Sequence, residues 1–162
     1  MNGEIAASPA SRVIRSRWLG EIEYDPNSEL FFPAGLPGFE HEYALLPVEI
    51  PAQRPLVYLQ SLSHPETCFA ALPVFTIDSG FQLHLSEDER CTLDLPGGRE
   101  PTIGTDVLCL GLLMSCDGEV RTNLNAPVVI NLRNARGVQC VPDRENTGHF
   151  RLGKTGRWES EC

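Results

Sequence analysis

The sequence predicts an all-β, mostly strand, single-domain small β-barrel-like fold with at most one or two short helices. Three observations carry this. First, 14 glycines and 13 prolines are scattered along 162 residues, punctuating short apolar runs at strand length instead of gathering in one linker. Second, Val107 to Met114 is apolar throughout, as a central strand buried on both faces should be. Third, the clearest helical stretch, Ser86 to Arg90, is short: Ser86 supplies a cap, and Glu87, Asp88 and Glu89 suit a helix N-terminus, although a polar loop fits equally well.

The elements follow in order. Residues 1–11 are small and polar, a flexible N-terminal segment. Gly20 to Tyr24 alternates so that Ile22 and Tyr24 face a core while Glu21 and Glu23 face away. Pro26, Asn27 and Ser28 turn the chain, and Glu29 to Phe32 returns as the partner strand of a hairpin, ending at Pro33. Further strands are expected at Tyr43–Val48, Leu56–Leu62, Cys68–Leu72, Phe81–Leu85, Val107–Met114, Val128–Leu132 and Val138–Val141. So many strands in a small chain leave reactive edges unless the sheet curls on itself, which predicts a closed or nearly closed barrel. The fold is expected within residues 12–142, with 143–162 a flexible C-terminal tail because it mixes charges, glycines and isolated aromatics without a period.

Composition narrows the function. A net charge of −9 repels a phosphate backbone, so direct nucleic-acid binding is not expected. No apolar run reaches signal-peptide or membrane-span length, which predicts a soluble cytoplasmic protein without membrane contact. The six cysteines, at 68, 91, 109, 116, 140 and 162, show no C-x-x-C pair, so zinc is disfavoured and reduced thiols are expected. Among them Cys109 reads as a core residue and Cys162 as an exposed, oxidisable one.

Chemistry finds little foothold. His41, His64, His84 and His149 are far apart and do not form a ligand set, so neither metal nor cofactor is expected. No nucleophile elbow, P-loop or dinucleotide fingerprint is present. Triads assemble in space, however, so a β-barrel enzyme using Cys68, His64 or the acidic pairs stays open as an alternative, as does a small-ligand barrel with an enclosed apolar cavity. A pocket joining a histidine to a carboxylate or thiol would favour the enzyme.

Two motifs say more. Phe32-Pro33-Ala34-Gly35-Leu36-Pro37-Gly38-Phe39 is a built turn, with glycines for positive φ and Pro37 fixing the bend. In Thr122-Asn123-Leu124-Asn125-Ala126-Pro127-Val128-Val129-Ile130-Asn131 a proline at an edge or bulge precedes a buried strand. With Gly20-Glu21-Ile22-Glu23 before them, Leu59-Gln60-Ser61 between them and Gly137-Val138-Gln139 after, these segments resemble the flagellar assembly factor FliW family over about residues 16–141. Leu72, before Pro73, departs from the acidic residue expected of the family there.

The resemblance implies a β-barrel-like protein, not an enzyme and monomeric when free, that binds the translational repressor CsrA and, alternatively, flagellin. Flagellin occupies the factor until it is exported; the freed factor then sequesters CsrA and relieves repression of flagellin messenger RNA. Acidity fits such a partner switch, because a polyanion on an RNA-binding protein disfavours RNA nearby. The residues expected to carry binding are Glu21, Glu23, Glu40 and Glu42 as exposed acids, Leu36 and Phe39 as apolar anchors, and Asn123 and Asn131 as polar groups that also hold local turns.

Overall fold

The computed structural model describes residues 10–141 and 148–161. The flexibility expected of residues 1–9 and 143–147, and the exposure expected of Cys162, lie outside the described residues. Among the described residues there are twelve strands and one α-helix: β1 Arg12–Ser16, β2 Gly20–Tyr24, β3 Leu30–Phe31, β4 Ala44–Val48, β5 Val57–Ser61, β6 Cys68–Pro73, α1 Glu87–Leu93, β7 Val107–Cys116, β8 Glu119–Asn123, β9 Val128–Asn131, β10 Gly137–Gln139, β11 His149–Leu152 and β12 Trp158–Ser160. β1 and β2 form a two-stranded sheet, and the other ten strands form one antiparallel sheet.

β7 is the branch point of the large sheet. Val107 to Leu110 pairs with β9, Leu110 pairs on through Leu112 with β6, and Leu113 to Cys116 pairs with β8. From β6 the order runs through β5 and β4 to β3, and from β9 to β10. The two ends of that path are joined by no ladder among the described residues but by a single parallel bridge between Phe31 and Arg136, where the Phe31 amide donates to the Ala135 carbonyl at 2.9 Å. The sheet is therefore barrel-like without being a closed barrel.

Alternation along β7 and β9 sorts side chains into two dry clusters. Leu110, Val128 and Ile130 point into the curl, with Leu30, Phe32, Leu36, Leu45, Val57 and Leu59. Val107, Cys109 and Val129 point outward, where Val74, Ile77, Leu83 and Leu93 cover them. This second layer explains why β7 reads as apolar on both faces, though only in its first half: Met114 is exposed. Phe32 is fully buried against Gly137, where an added Cβ would come within 2.5 Å of the ring. Only glycine admits that approach of strand to ring.

α1 starts on a capping box. The Ser86 hydroxyl accepts from the Glu89 amide at 3.1 Å, and the Glu89 carboxylate accepts from the Ser86 amide at 3.0 Å. Its far end is tied to the β9–β10 turn, because Asn131 and Asn134 donate to the Leu93 carbonyl and Arg136 donates to that of Thr92.

Three departures from the sequence reading have physical reasons. β2 pairs with β1, not with the segment after the turn, and β3 pairs with β4; with Arg12 and Arg15 among its five residues, β1 shows no apolar alternation. Phe81–Leu85 is not a strand: Phe81, Leu83 and Leu85 pack in the second cluster from an irregular backbone, so apolar alternation is met without a ladder. Sheet also continues past residue 142, since β11 pairs with β8 and β12 with β11. These strands are short, and an Arg121–Glu119–Arg151–Glu159 chain of ion pairs links them.

Candidate interaction surface

The loop after β3 is shaped by its glycines and proline. Gly35 has φ +64°, and an added Cβ would lie 2.7 Å from the backbone of Glu40, so the loop folds back on itself at that residue. Leu36 and Phe39 bridge across Pro37 and Gly38, each amide donating to the other's carbonyl, at 3.1 and 2.7 Å. This fold-back turns the two apolar residues opposite ways. Leu36 is buried in the core cluster, whereas Phe39 is 46% exposed, its ring edge-to-face with Phe69 at 5.0 Å. Glu40 is exposed at the loop's end, and hydrogen bonds from its own amide and that of Gly38 hold its carboxyl below the usual carboxylate range.

Glu42, expected on a wet face, is instead 4% exposed. Its carboxylate takes a hydrogen bond from Ser61 Oγ and lies 2.7 Å from His64 Nδ1. Burial of a carboxylate requires such partners, and here they come from the end of β5 and the loop that follows it. Beside them Gln60, fully buried, accepts from Ser16 Oγ at 2.6 Å. Four of the buried polar side chains, Ser16, Glu42, Gln60 and Ser61, thus sit together at one end of the barrel.

This polar cluster holds the tip of the β1–β2 hairpin. Besides the Ser16 bond, the Arg17 amide donates to the Pro65 carbonyl and Trp18 Nε1 donates to that of Glu66, both at 2.9 Å. Trp18 is nonetheless 63% exposed, with the Arg17 guanidinium over its ring at 5.3 Å. The base of the hairpin is tied through Glu29, which accepts from Arg12 at 2.8 Å and from the Tyr24 hydroxyl at 2.9 Å. Hydrogen bonding to Glu29 raises the Arg12 pKa, and burial first, then Glu29, raises that of Tyr24. Ile22 and Tyr24 turn inward and are half-buried while Glu21 and Glu23 are exposed, the alternation the sequence predicts.

The expected binding residues are therefore not one patch. Glu21, Glu23, Phe39 and Glu40 are at the surface; Leu36, Glu42 and Asn131 are buried, which removes them from direct contact. Asn131 serves the Leu93 carbonyl and the Arg133 amide, and half-buried Asn123 accepts from the Asn125 amide. Both are turn-formers. Leu72, in the departing position, packs against the second core cluster. Sequence reasoning missed Ser16, Trp18 and the anchoring role of Gln60, whose signal is only a serine and a glycine spaced to close a hairpin.

His64 does meet a carboxylate, but neither it nor Glu42 lines any of four surface clefts, which lie beside Phe81 and His84, beside Arg90 and Gly97, beside Gly118 and Lys154, and beside Pro96 and Leu132. The first of these, about 660 Å³, is open and is lined in part by Asp78, His84 and Cys140, so it brings a histidine together with a carboxylate and a thiol, the combination that would favour an enzyme; burial pushes the Cys140 thiol up. The curl of the sheet is filled by side chains. Among the described residues no group of three or more potential ligands is placed to hold a metal ion, and no helix is long and apolar enough to cross a membrane.

Residues 13–150 match the model of the FliW protein family. The chain belongs to the FliW family. A flagellar assembly factor FliW from Syntrophomonas wolfei is 30% identical over 131 residues, 79% of this chain and 80% of the relative. One from Clostridium botulinum (strain Alaska E43 / Type E3) is 31% identical over 129 residues, covering 78% and 87%. A crystal structure of the flagellar assembly factor FliW superposes with a TM-score of 0.71 at 25% identity, covering 85% of this chain and 92% of that one. The FliW match begins within β1 and ends within β11, so it takes in the hairpin and the start of the sheet beyond residue 142.

Proposed function

We infer that this FliW-family chain is a cytoplasmic flagellar assembly factor that acts by binding proteins and catalyses no reaction. In this reading it is monomeric when free and holds flagellin or a CsrA-type translational repressor in turn. When flagellin leaves by export, the chain takes up the repressor and frees flagellin messenger RNA for translation. The observation that carries the reading is family membership across residues 13–150. The net charge of −9 supports it, since an acidic chain attracts a basic RNA-binding protein and repels that protein's RNA.

Glu21, Glu23 and Glu40 supply exposed negative charge, and Phe39 on Phe69 supplies an apolar anchor beside it. Catalysis in the open cleft is the second reading, carried by Asp78, His84 and Cys140 in its lining; it has less support because burial holds the Cys140 thiol protonated and the Asp78 carboxylate accepts from the Gly80 amide.

Calorimetric titration with the repressor and the flagellin of the same source, followed by release of RNA from the repressor, tests the switch. Binding of both, with RNA displaced only when flagellin is absent, is expected. Binding of neither at micromolar concentration by a folded chain refutes it.

A further inference from the structure

The β1–β2 hairpin is a sheet of two strands whose long edges have no partner strand among the described residues. Among the described residues its one backbone hydrogen bond to the body is at the tip, from Arg17 to Pro65. A lone two-stranded hairpin is marginal in water, yet this one is fixed at the tip by Ser16, Arg17 and Trp18 and at the base by Glu29. Its edges are therefore ordered in advance, which lowers the cost of pairing with another chain. Proteins usually blunt such edges with charge, proline or a bulge, and here the charge is of one sign, which opposes acidic or identical strands and leaves basic ones admissible. β2, Gly20–Tyr24, has no proline, and its five pairs with β1 run in unbroken register.

Charge selects the occupant. Glu21 and Glu23 lie on one face of β2 with Ile22 between them on the other. A strand added along β2 sets its alternate side chains beside these acids, where opposite charge stabilises the pair and like charge opposes it. The β2 strand of a second copy brings glutamate to glutamate. Its β1 holds Arg12 on Glu29, and its Arg15 reaches Glu21 only at 3.8 Å between exposed side chains, a loose pair that leaves Glu21 able to take a partner's cation. Glu23 accepts a hydrogen bond from Ser11 at one oxygen, leaving the other for a cation.

We propose that β2 is the acceptor edge for a basic, extended segment of a partner protein, which adds as a third strand with lysine or arginine at alternate positions against Glu21 and Glu23. This deepens the proposed function and rests on its premise of a basic protein partner. It differs in where the affinity comes from: main-chain hydrogen bonds along β2, with charge setting register.

The test uses the full chain and a short synthetic peptide alternating arginine and valine, with a glutamate–valine peptide as control. The arginine peptide binds, the control does not, and amide exchange slows across Gly20–Tyr24. N-methylation of one alternate set of peptide amides weakens binding by at least about tenfold, whereas methylation of the other set leaves it unchanged, because only one set faces β2. The exposed-site variant Glu21→Lys/Glu23→Lys loses binding to a similar degree while keeping its melting temperature. Absence of peptide binding overturns the proposal, as does binding insensitive to both methylated sets or concentration-dependent self-association through β2. The partner switch is judged separately: a repressor that binds the chain without slowing exchange in β2 leaves the switch standing and refutes strand addition.

Discussion

The barrel and the hairpin are both antiparallel sheet, yet they are held by opposite means. In the barrel, residues such as Phe32, Leu59, Leu110 and Val128 are wholly removed from water and stability comes from their packing. In the hairpin, Val13 is 55% exposed, Ile14 and Ile22 are half-buried, and position is set by a few hydrogen bonds reaching Gln60, Pro65, Glu66 and Glu29. The difference teaches that one chain can keep a rigid core and still present an ordered, open strand, provided the tethers are polar and local.

The contrast breaks most severely at Phe32. Replacing it with alanine empties the space beside Gly137 and is expected to cost about 3–5 kcal/mol, read as a lower urea midpoint with the hairpin lost in the same transition. Separate transitions for barrel and hairpin would show that the two are less dependent than the tethers imply. Next comes the buried thiol of Cys109, which burial pushes up from 9.0 to about 12. The unfolded thiol ionises first as pH rises, so the unfolded state then holds fewer protons and folding weakens. This contribution is intact below about pH 9 and is lost towards pH 12. Cys109→Ala should flatten that alkaline decline, and in the native state Cys109 should label far more slowly than exposed Cys91 and Cys116.

A smaller effect sharpens the comparison from the other side. Ser16→Ala leaves Gln60 without its hydroxyl donor, at a cost of about 1–3 kcal/mol. Amide exchange should quicken across residues 12–24 while β5 and β7 keep their protection; uniform quickening would show that the tether also supports the barrel. Smallest is Arg15→Ala, where the ion pair to Glu21 is 3.8 Å long between side chains 85% and 64% exposed. The expected change is within about 0.5 kcal/mol by thermal melting.

What could be read from sequence follows the same division. Strands of the dry curl announce themselves: the segments read at Tyr43–Val48, Leu56–Leu62, Cys68–Leu72 and Val107–Met114 lie within a few residues of β4, β5, β6 and β7. β1 and β8 escaped notice because arginines and glutamates interrupt their apolar residues, and β11 and β12 because they are too short to show a period. At the surface, alternation placed Glu21 and Glu23 correctly but misplaced Glu42. Its burial depends on Ser61 and His64, 19 and 22 residues along the chain, and no local pattern reports a partner at that distance. The glycine-rich turn was legible as a turn; which of Leu36 and Phe39 faces water was set by the fold-back at Gly35.

The late meeting of Phe31 with Arg136, beside Phe32 on Gly137, has a consequence during synthesis. Most strands pair with sequence neighbours, so the sheet can zip up as the polypeptide emerges from the ribosome. The aromatic ring must wait for its glycine. At 5–20 residues per second that wait lasts roughly 5–20 s, during which a ring covered on one side by Leu36, Leu45 and Leu59 keeps its other side open to chaperones, and to aggregation when none is at hand.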